Sequence, residues 1–452
     1  MRLLLLASVL AFSGCVQPDE DRAQWSALNQ VRQGEAAELS PDSLASLTYA
    51  DFFDEHASLD YHRLLAYRTL EDQIPEGAKR RAYYNVLALL EAYLGNAGAA
   101  IEITDQAALQ PTTMMVFDST GAMKEVPFVR ETAYSAFPDS LIRAGYTSIP
   151  LDSLLSDVPA DVRVFGLNEV HTVPRFRSTL YAALPALRRQ GFDHLALETL
   201  YDEQDEFNAV PHPERAAGFF SSEAMMGDVV RRAKALGFTL VSYDAQGAGS
   251  QLDRELQSFQ ALVERTFEAQ PDARVVLYAG HSHTWRTQIG AIPMLGKQLD
   301  DAGYPSLVIH QSGYFERNVP EWVQAPTLFR PNNPESPAER RYDYLLVLPR
   351  SIVEDGRPSW LWDLDRVPVA VREELLKRTS VPALVEAFPS AEPDTAVPLD
   401  RVELTSAEDK RSLALRPGEY RVRVTNAENE AWEGTLVVNA EGSETSTAEG
   451  QR

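Results

Sequence analysis

The feature that most constrains the fold is a regular alternation of short apolar runs and helical patterns between residues 160 and 315. Five runs rich in Val, Leu and Ile lie at 162–167, 194–197, 239–243, 274–279 and 306–309. Patterns typical of helices fill the intervals at 176–190, 223–236, 252–269 and 289–302. Strands that alternate with helices form βαβ units, whose strands are parallel and buried. We therefore predict an α/β fold with a central, mainly parallel sheet flanked by helices.

The regions on either side of this alternation predict separate subdomains. Before it, helix formers at 82–90 and 99–107 are separated by a glycine-containing break at 95–98. After it, apolar and polar residues alternate around Pro417-Gly418, a pattern typical of β strands. The predicted boundaries are a helical N-terminal subdomain over 16–150, the α/β domain over 151–350, a helical linker over 351–395, a small β-sandwich-like module over 396–440 and a disordered tail over 441–452.

The N-terminus has the pattern of an export signal. Arg2 is followed by an apolar run over 3–12 and then by Ser13-Gly14-Cys15. A run of about ten residues is too short to cross a bilayer as a helix. The small residues before Cys15, the single cysteine of the chain, resemble the lipobox of bacterial lipoproteins. We therefore predict a signal peptide with a lipidated Cys15 over 1–15, and the alternative is an ordinary signal peptide.

This prediction places the chain in the cell envelope, at the periplasmic face of the outer membrane, with its lipid as the only membrane contact. The net charge of −24 arises from 66 acidic and 42 Lys plus Arg residues. A surface of this charge repels phosphate backbones, so nucleic acid is excluded as a partner.

Ionisable residues follow four consecutive apolar runs at the point where each run ends. They are Glu169 and His171 after the first, Glu198 after the second, Asp244 after the third, and His281 and His283 after the fourth. The carboxyl ends of parallel strands meet at one edge of a sheet, which is where α/β folds bind ligands. The sequence therefore predicts one polar site built from these six residues.

The chemistry of this set leaves two interpretations open. A His beside a Glu can act as a general base on water, while a second His serves as an acid or stabilises an oxyanion. The same group of His171, Glu169, Glu198, His281 and His283 could instead hold a divalent ion such as Zn²⁺ or Mn²⁺. Asp244 is predicted to bind substrate or to be a turn residue, and Arg175 to contact an anionic group or solvent. No Gly-x-Ser-x-Gly motif, phosphate loop or dinucleotide fingerprint is present in the sequence.

At these residues the sequence resembles the superfamily that joins erythromycin esterases, ChaN-like haem-uptake lipoproteins and Tiki/TraB proteins. Its signature strand ends in Gly-Glu-x-His, and Asn168-Glu169-Val170-His171 matches it with Asn in place of Gly. Glu198, Asp244 and Gly280-His281-Ser282-His283 stand where the family has its later site residues, although the spacing of the two histidines is one residue shorter. The resemblance covers 160–315, about a third of the chain.

The resemblance implies roles for these residues that differ between branches of the superfamily. In the esterase branch, His171 would be the general base, Glu169 and Glu198 would orient or polarise, and His281 and His283 would stabilise developing charge. Tiki-like members resemble metal-dependent proteases, in which the same residues would hold metal. ChaN-like members are lipoproteins that bind haem.

The leading prediction is an exported lipoprotein hydrolase that cleaves an ester, lactone or amide bond in a small-molecule or peptide substrate, with or without a divalent metal. The alternative is a haem- or metal-binding uptake lipoprotein of the ChaN type, for which tyrosines are available as iron ligands. These tyrosines are Tyr181, Tyr201, Tyr243 and Tyr278. A third interpretation is a binding scaffold without catalysis, because Asn168 replaces the family's Gly. The sequence leaves the substrate and the oligomeric state undetermined.

Overall fold

The structure is a computed structural model. It describes residues 61–117, 123–128, 145–198, 200–201, 204–245, 248–314, 316, 319–333, 341–371, 379–406, 408–439 and 444–451. The predicted signal peptide and Cys15 lie outside these residues. The chain divides into two compact units, the first formed from Met1–Ala92 and Gly98–Ser135 and the second from Tyr93–Ala97 and Ala136–Arg452.

The described residues form nine α-helices. In chain order they are α1 Tyr61–Arg68, α2 Ala78–Tyr93, α3 Ala97–Leu109, α4 Leu151–Ser156, α5 Arg175–Arg189, α6 Gln204–Ala209, α7 Ala224–Ala235, α8 Gln251–Val263 and α9 Leu295–Asp301. A π-helical turn, Glu264–Glu268, continues α8, and short 3₁₀ helices include Phe220–Ser222 and Ser359–Leu364.

The strands of the described residues fall into one large and several small sheets. In chain order they are β1 Thr112–Phe117, β2 Met123–Phe128, β3 Tyr146–Pro150, β4 Val164–Glu169, β5 His194–Leu197, β6 Thr239–Ser242, β7 Val275–Gly280, β8 Gln288–Ile289, β9 Ile292–Pro293, β10 Ser306–His310, β11 Thr327–Pro331, β12 Tyr344–Val347, β13 Val353–Glu354, β14 Arg357–Pro358, β15 Val367–Ala370, β16 Ala383–Pro389, β17 Asp400–Leu404, β18 Ser412–Leu415, β19 Gly418–Asn426, β20 Ala431–Val438 and β21 Glu444–Gln451.

The first unit contains α1, most of α2 and α3, and a hairpin of β1 and β2. Apolar residues from α1 and α2, including Leu64, Tyr67 and Leu90, are fully buried. Arg68 donates two hydrogen bonds of 2.7 Å to the Glu91 carboxylate. The helical pattern and its break before α3 are therefore confirmed in the described part of the N-terminal region.

The second unit is built on an eight-stranded sheet of order β3-β11-β12-β10-β4-β7-β5-β6. The six strands from β12 to β6 are mutually parallel, whereas β11 pairs antiparallel with both β12 and β3. Strands β4, β5 and β7 are buried over their whole length, as their Val- and Leu-rich sequences require. The predicted α/β class with a large, mainly parallel sheet is therefore confirmed.

Local sequence signals account for the boundaries of most elements in this sheet. Gly191 and Gly237 have φ values of +88° and +76° and end α5 and α7 on left-handed residues. The helix predicted over 289–302 is shorter, because a β8–β9 hairpin with Gly290 at φ +58° occupies its first part. The sheet also begins earlier than predicted, since β3 precedes residue 151.

Smaller antiparallel sheets follow the large one. Five strands form one sheet in the order β17-β16-β19-β20-β21. Strand β18 is not part of it and pairs with β15. Residues of both sheets, such as Val369, Leu415 and Val424, share one apolar cluster. The described part of the predicted helical linker over 351–395 contains the strands β13 to β16 and the short 3₁₀ helix Ser359–Leu364 in place of α-helix. The predicted disordered tail contains β21, which pairs with β20.

Among the residues that the structure describes, no helix combines the length and the apolar character needed to cross a bilayer.

Candidate functional site

The carboxyl end of β4 carries a His–Glu pair at the centre of the large sheet. Glu169 is the last residue of β4, and its Oε1 lies 2.7 Å from Nδ1 of His171. The side chain of Glu169 is 1% exposed and that of His171 is 15% exposed. The histidine therefore reaches the edge of the site while its carboxylate partner is fully enclosed.

A buried arginine neutralises the enclosed carboxylate. Arg177, from the first turn of α5, donates from Nε to Glu169 Oε2 at 2.8 Å and from Nη2 to Glu169 Oε1 at 2.9 Å. Its Nη1 donates to Glu223 at 2.7 Å, and Glu223 caps α7 by accepting from Met225 N and Met226 N. Tyr278 of β7 donates its hydroxyl to Glu169 Oε2 at 2.8 Å. Because every buried charge here is paired, the cluster is rigid.

These contacts keep Glu169 ionised. Burial raises the pKa of this carboxyl, but the Arg177 charge and the hydrogen bond from His171 outweigh it and hold the pKa well below its usual range. An ionised carboxylate only accepts hydrogen bonds, so Nδ1 of His171 carries a hydrogen that it donates to Glu169. In the neutral form of the ring, Nε2 is the nitrogen that can accept a hydrogen bond.

A second His–carboxylate cluster lies beside the first, at the ends of β5 and β7. His283 Nδ1 lies 2.6 Å from Glu255 Oε1, and its Nε2 lies 3.4 Å from Glu198 Oε1. Glu198 also accepts a hydrogen bond from the backbone N–H of Gly280. Glu255 is fixed from the other side, because its Oε2 accepts from Leu295 N at 2.8 Å.

Arg254 connects this cluster to the end of β6. Its guanidinium donates to Asp244 Oδ1 at 2.8 Å and Oδ2 at 2.7 Å, and to Glu198 Oε1 at 3.0 Å. Burial raises the pKa of the Asp244 carboxyl, an effect that Arg254 opposes. Asp244 is thus part of an ion pair with Arg254, which presents its cation beside Glu198.

Gly280 permits the two clusters to approach each other. A Cβ atom at this position would lie 2.7 Å from His171 Nε2 and 3.1 Å from Glu198 Oε2. Both atoms therefore lie directly over the backbone of Gly280. Phe220 stacks on the His171 ring, with the ring centroids 4.0 Å apart and the planes inclined by 20°.

Two histidines of the site, His281 and His283, have different charges at neutral pH. Burial lowers the pKa of His283, but Glu198 and Glu255 outweigh this effect and raise it to about 9. Burial and the neighbouring His171 lower the pKa of His281 to about 4. Burial raises the pKa of Glu198, but His283 and Arg254 outweigh this and lower it to about 2. The site therefore combines an imidazolium at His283 with a neutral ring at His281.

The six residues predicted to share a site, from Glu169 to His283, do lie at one edge of the sheet, but Arg175 does not join them. Its Nη1 donates to the Pro349 carbonyl and, at 3.1 Å, to Ser351 Oγ. Burial lowers the pKa of this arginine. Arg175 therefore ties α5 to the segment after β12, and the basic residue of α5 at the site is Arg177.

The donor groups do not suit a divalent ion in this arrangement. Among the described residues, no group of three or more His, Cys, Asp or Glu is spaced to hold a metal. Arg254 and the His283 imidazolium already neutralise Glu198, and Arg177 neutralises Glu169. A cation would have to displace these positive groups, so the set does not fit Zn²⁺ or Mn²⁺.

Three of the four tyrosines considered as haem ligands are buried in other contacts. Tyr278 is 1% exposed and donates to Glu169. Tyr181 lies between the guanidinium groups of Arg232 and Arg416. Tyr243 is 2% exposed in the core on the β6 side.

Sequence reasoning missed Arg177, Glu223, Arg254, Glu255 and Phe220. Four of these five stand at or near the start of the helix that follows a strand: Arg177 in α5, Glu223 before α7, and Arg254 and Glu255 in α8. In a parallel sheet the first turns of such helices lie at the same edge as the strand carboxyl ends. Charged residues in these first turns are therefore the signal that could have found them. Nothing in the sequence singled out Phe220.

No protein-family model matches the chain, and no curated protein matches its sequence. Among solved structures, the type III effector HopBA1 is 14% identical with a TM-score of 0.31, over 44% of this chain and 94% of that one. RRSP, a MARTX toxin effector domain from Vibrio vulnificus CMCP6, is 16% identical with a TM-score of 0.27, over 63% of this chain and 55% of that one. The C-terminal region of Pasteurella multocida toxin is 9% identical with a TM-score of 0.28, over 84% of this chain and 55% of that one. At TM-scores this low, the likenesses carry no argument.

Proposed function

We propose that this protein is a hydrolase that activates water at His171 to cleave an ester, lactone or amide bond. The observation that carries the proposal is the pair of His171 and Glu169, in which the carboxylate is enclosed and neutralised by Arg177. A buried carboxylate that orients a histidine and fixes its tautomer is the arrangement by which hydrolases prepare a general base.

The proposed reaction begins with a water molecule hydrogen-bonded to Nε2 of His171. As the water oxygen attacks the substrate carbonyl carbon, its proton moves to Nε2, and Glu169 stabilises the resulting imidazolium. A tetrahedral intermediate with an oxyanion forms. When it collapses, the bond to the leaving group breaks and His171 returns the proton to the leaving alcohol or amine.

The second cluster supplies positive charge for the oxyanion. His283 and Arg254 are 20% and 30% exposed in their side chains, so both reach the surface of the site. Glu198 holds them beside His171 across Gly280. Cations placed in advance where negative charge develops are a major source of rate enhancement. In this mechanism His283 and Arg254 stabilise charge, and His171 transfers protons.

The wider setting of the proposal rests on the sequence. The motif Asn168-Glu169-Val170-His171 supports membership of the superfamily of erythromycin esterases, ChaN-like and Tiki/TraB proteins. The N-terminal pattern supports a lipoprotein anchored through Cys15 at the periplasmic face of the outer membrane. A small-molecule or peptide substrate fits both. The helical N-terminal region and a C-terminal β-sandwich-like module would flank the hydrolase domain.

The test is a screen of p-nitrophenyl esters, lactones and peptides with the purified mature chain, followed by His171→Ala on any substrate that is turned over. We expect kcat to fall by about 10²-fold to 10⁴-fold, the usual contribution of a general base. A chelator should leave turnover unchanged, because the site does not fit a divalent ion.

His194→Ala is the matched control, since His194 also pairs with a carboxylate but lies at the amino end of β5. Turnover that is unchanged in His171→Ala, or equally reduced in His194→Ala, would contradict the general-base assignment. Absence of turnover together with a Soret band on addition of haem would replace the proposal with the uptake alternative.

A further inference from the structure

Asn168, the residue before Glu169, makes an extended set of buried hydrogen bonds. Its side chain is fully buried, and its Oδ1 accepts from Gln311 N at 2.8 Å. Its Nδ2 contacts the carbonyl oxygen of His281, Nδ1 of His310 at 2.8 Å and Oγ of Ser312 at 2.8 Å. One amide group therefore joins the ends of three neighbouring strands, β4, β7 and β10.

The direction of these hydrogen bonds follows from the partners. The backbone N–H of Gln311 can only donate, so the atom that faces it is the amide oxygen and the other atom is the NH₂ group. The NH₂ group has two hydrogens for these three neighbours, and it cannot accept a hydrogen bond. A proton on Nδ1 of His310, 2.8 Å away, would point at this donor, so Nδ1 must carry a lone pair. Nε1 of Trp285, another obligatory donor, lies 3.5 Å from the same nitrogen. The His310 ring therefore carries its proton on Nε2.

The contact to His281 bears on the proposed site. His281 has a φ of +32°, an uncommon backbone conformation for a residue with a side chain. It begins the turn that leads to His283, and its own N–H donates to the Glu169 carbonyl at 2.8 Å. The amide of Asn168 holds the other polar group of the same peptide segment, the His281 carbonyl.

We propose that Asn168 is a positioning residue of the site: its amide holds the turn from His281 to His283 against the end of β4 and fixes the His310 ring with its proton on Nε2. The catalytic part of this inference rests on the proposed hydrolysis, whereas the part about His310 does not. Asn168 acts through His281 and His310 and does not itself touch a substrate.

The test is Asn168→Asp, which preserves size and the acceptor for Gln311 but replaces the donor with a carboxylate oxygen. That oxygen faces the His281 carbonyl and His310 Nδ1, so we expect a proton to move onto Nδ1 of His310. Imidazole ¹⁵N chemical shifts of histidine-labelled protein report this change, with the His310 signals assigned through His310→Gln. On a substrate found in the screen, kcat should fall about 100-fold with KM nearly unchanged, because the turn that carries His283 is displaced.

Asn426→Asp is the matched control. Asn426 is also fully buried, donates to Ser380 and Glu430, and accepts from two backbone N–H groups in the C-terminal sheet. The Asn426→Asp variant should have the same kcat and the same His310 signals as the wild-type protein. An equal loss of kcat in Asn426→Asp would overturn the positioning role.

The wild-type spectrum tests the network even if Asn168→Asp does not fold. A proton on Nδ1 of His310 in the wild-type protein would overturn the inference, and a proton on Nε2 supports it. If the wild-type protein turns over no substrate, the proposed function fails while the His310 result stands on its own. A kcat that is unchanged in folded Asn168→Asp would overturn the link between Asn168 and catalysis.

Discussion

The large sheet carries one His–carboxylate pair at the carboxyl ends of its parallel strands, the carboxyl edge, and another at their amino ends, the amino edge. The nitrogen–oxygen distance is the same in the two pairs. His171 Nδ1 lies 2.7 Å from Glu169 Oε1 at the carboxyl edge, and His194 Nδ1 lies 2.7 Å from Asp193 Oδ1 at the amino edge. The carboxylates differ in their surroundings. Glu169 is 1% exposed and bound by Arg177 and Tyr278, whereas Asp193 is 24% exposed and bound by Gln270 and the Arg274 N–H.

The geometry of a His–carboxylate pair therefore does not by itself define a functional site. At the amino edge the carboxylate is partly exposed and accepts hydrogen bonds from the Gln270 amide and the Arg274 backbone N–H. At the carboxyl edge the carboxylate is removed from water and requires a buried cation, which is costly to arrange. Such an arrangement is typical of sites where a charge is needed for chemistry.

The largest expected effect distinguishes the two carboxylates. Glu169→Gln should lower kcat by about 10⁴-fold, because an amide can stabilise the wrong tautomer of the His171 ring and cannot stabilise its imidazolium. Asp193→Asn should leave kcat unchanged. Steady-state kinetics of both variants on one substrate provide the measurement, and similar values for the two would remove the distinction between the edges.

The next effect concerns the groups that bind each carboxylate. Arg177→Met leaves Glu169 and Glu223 buried without their cation, so the free energy of unfolding should fall by about 3–5 kcal/mol. Gln270→Ala removes the partner of the more exposed Asp193 and should change it by less than about 0.5 kcal/mol. Urea denaturation measures both. A small effect of Arg177→Met would show that water reaches Glu169 and that the two carboxylates are alike.

The smallest expected effect is a pH dependence of the free energy of unfolding, caused by His281 at the carboxyl edge. The pKa of His281 is about 4 in the folded protein, below the usual value of an unfolded histidine near 6.5. Between these values the unfolded chain binds a proton that the folded chain does not. The contribution of the neutral His281 ring to the free energy of unfolding is therefore fully present above about pH 6.5. It is lost as the pH falls towards 4, and the free energy of unfolding changes by at most about 1.4 kcal/mol per pH unit.

His281→Gln should remove this part of the slope when unfolding by urea is measured between about pH 7 and about pH 4.5. A variant that retained the full wild-type slope would show that His281 is hydrated and takes up its proton normally. In that case the carboxyl edge would be as open to water as the amino edge.

The central fold could be predicted because its strands are continuous apolar runs bounded by turn residues. Strand β5 has the predicted limits, and β4, β6, β7 and β10 differ from the predicted runs by one or two residues at their ends. Strand β16, which lies in the predicted helical linker, could not be predicted in the same way. Strand β16 pairs Val385 with Val402 and with Val424, so its conformation depends on partners far along the chain. Propensity within a short window does not contain this information.

The site could be predicted in part for a similar reason. Glu169 is the last residue of β4, Glu198 follows β5 directly and Asp244 stands two residues after β6, so the strand ends fix where they lie. Arg177 and Arg254 could not be selected, because basic residues in first turns are common and only the packing of α5 and α8 directs these two inward. Arg175 illustrates the problem, since it stands two residues before Arg177 and contacts the segment after β12.

The strand order has a consequence for how the molecule is made. Strands β4 and β5 do not pair with each other, because β7 lies between them and Val275 pairs with both Val164 and His194. During synthesis or refolding, the first two strands wait for a segment about a hundred residues after β4, which slows folding and leaves their edges open to other chains. The arriving strand also brings His281 and His283. We therefore expect each molecule to stop needing chaperones and to become active at the same step, the pairing of β7 with β4 and β5.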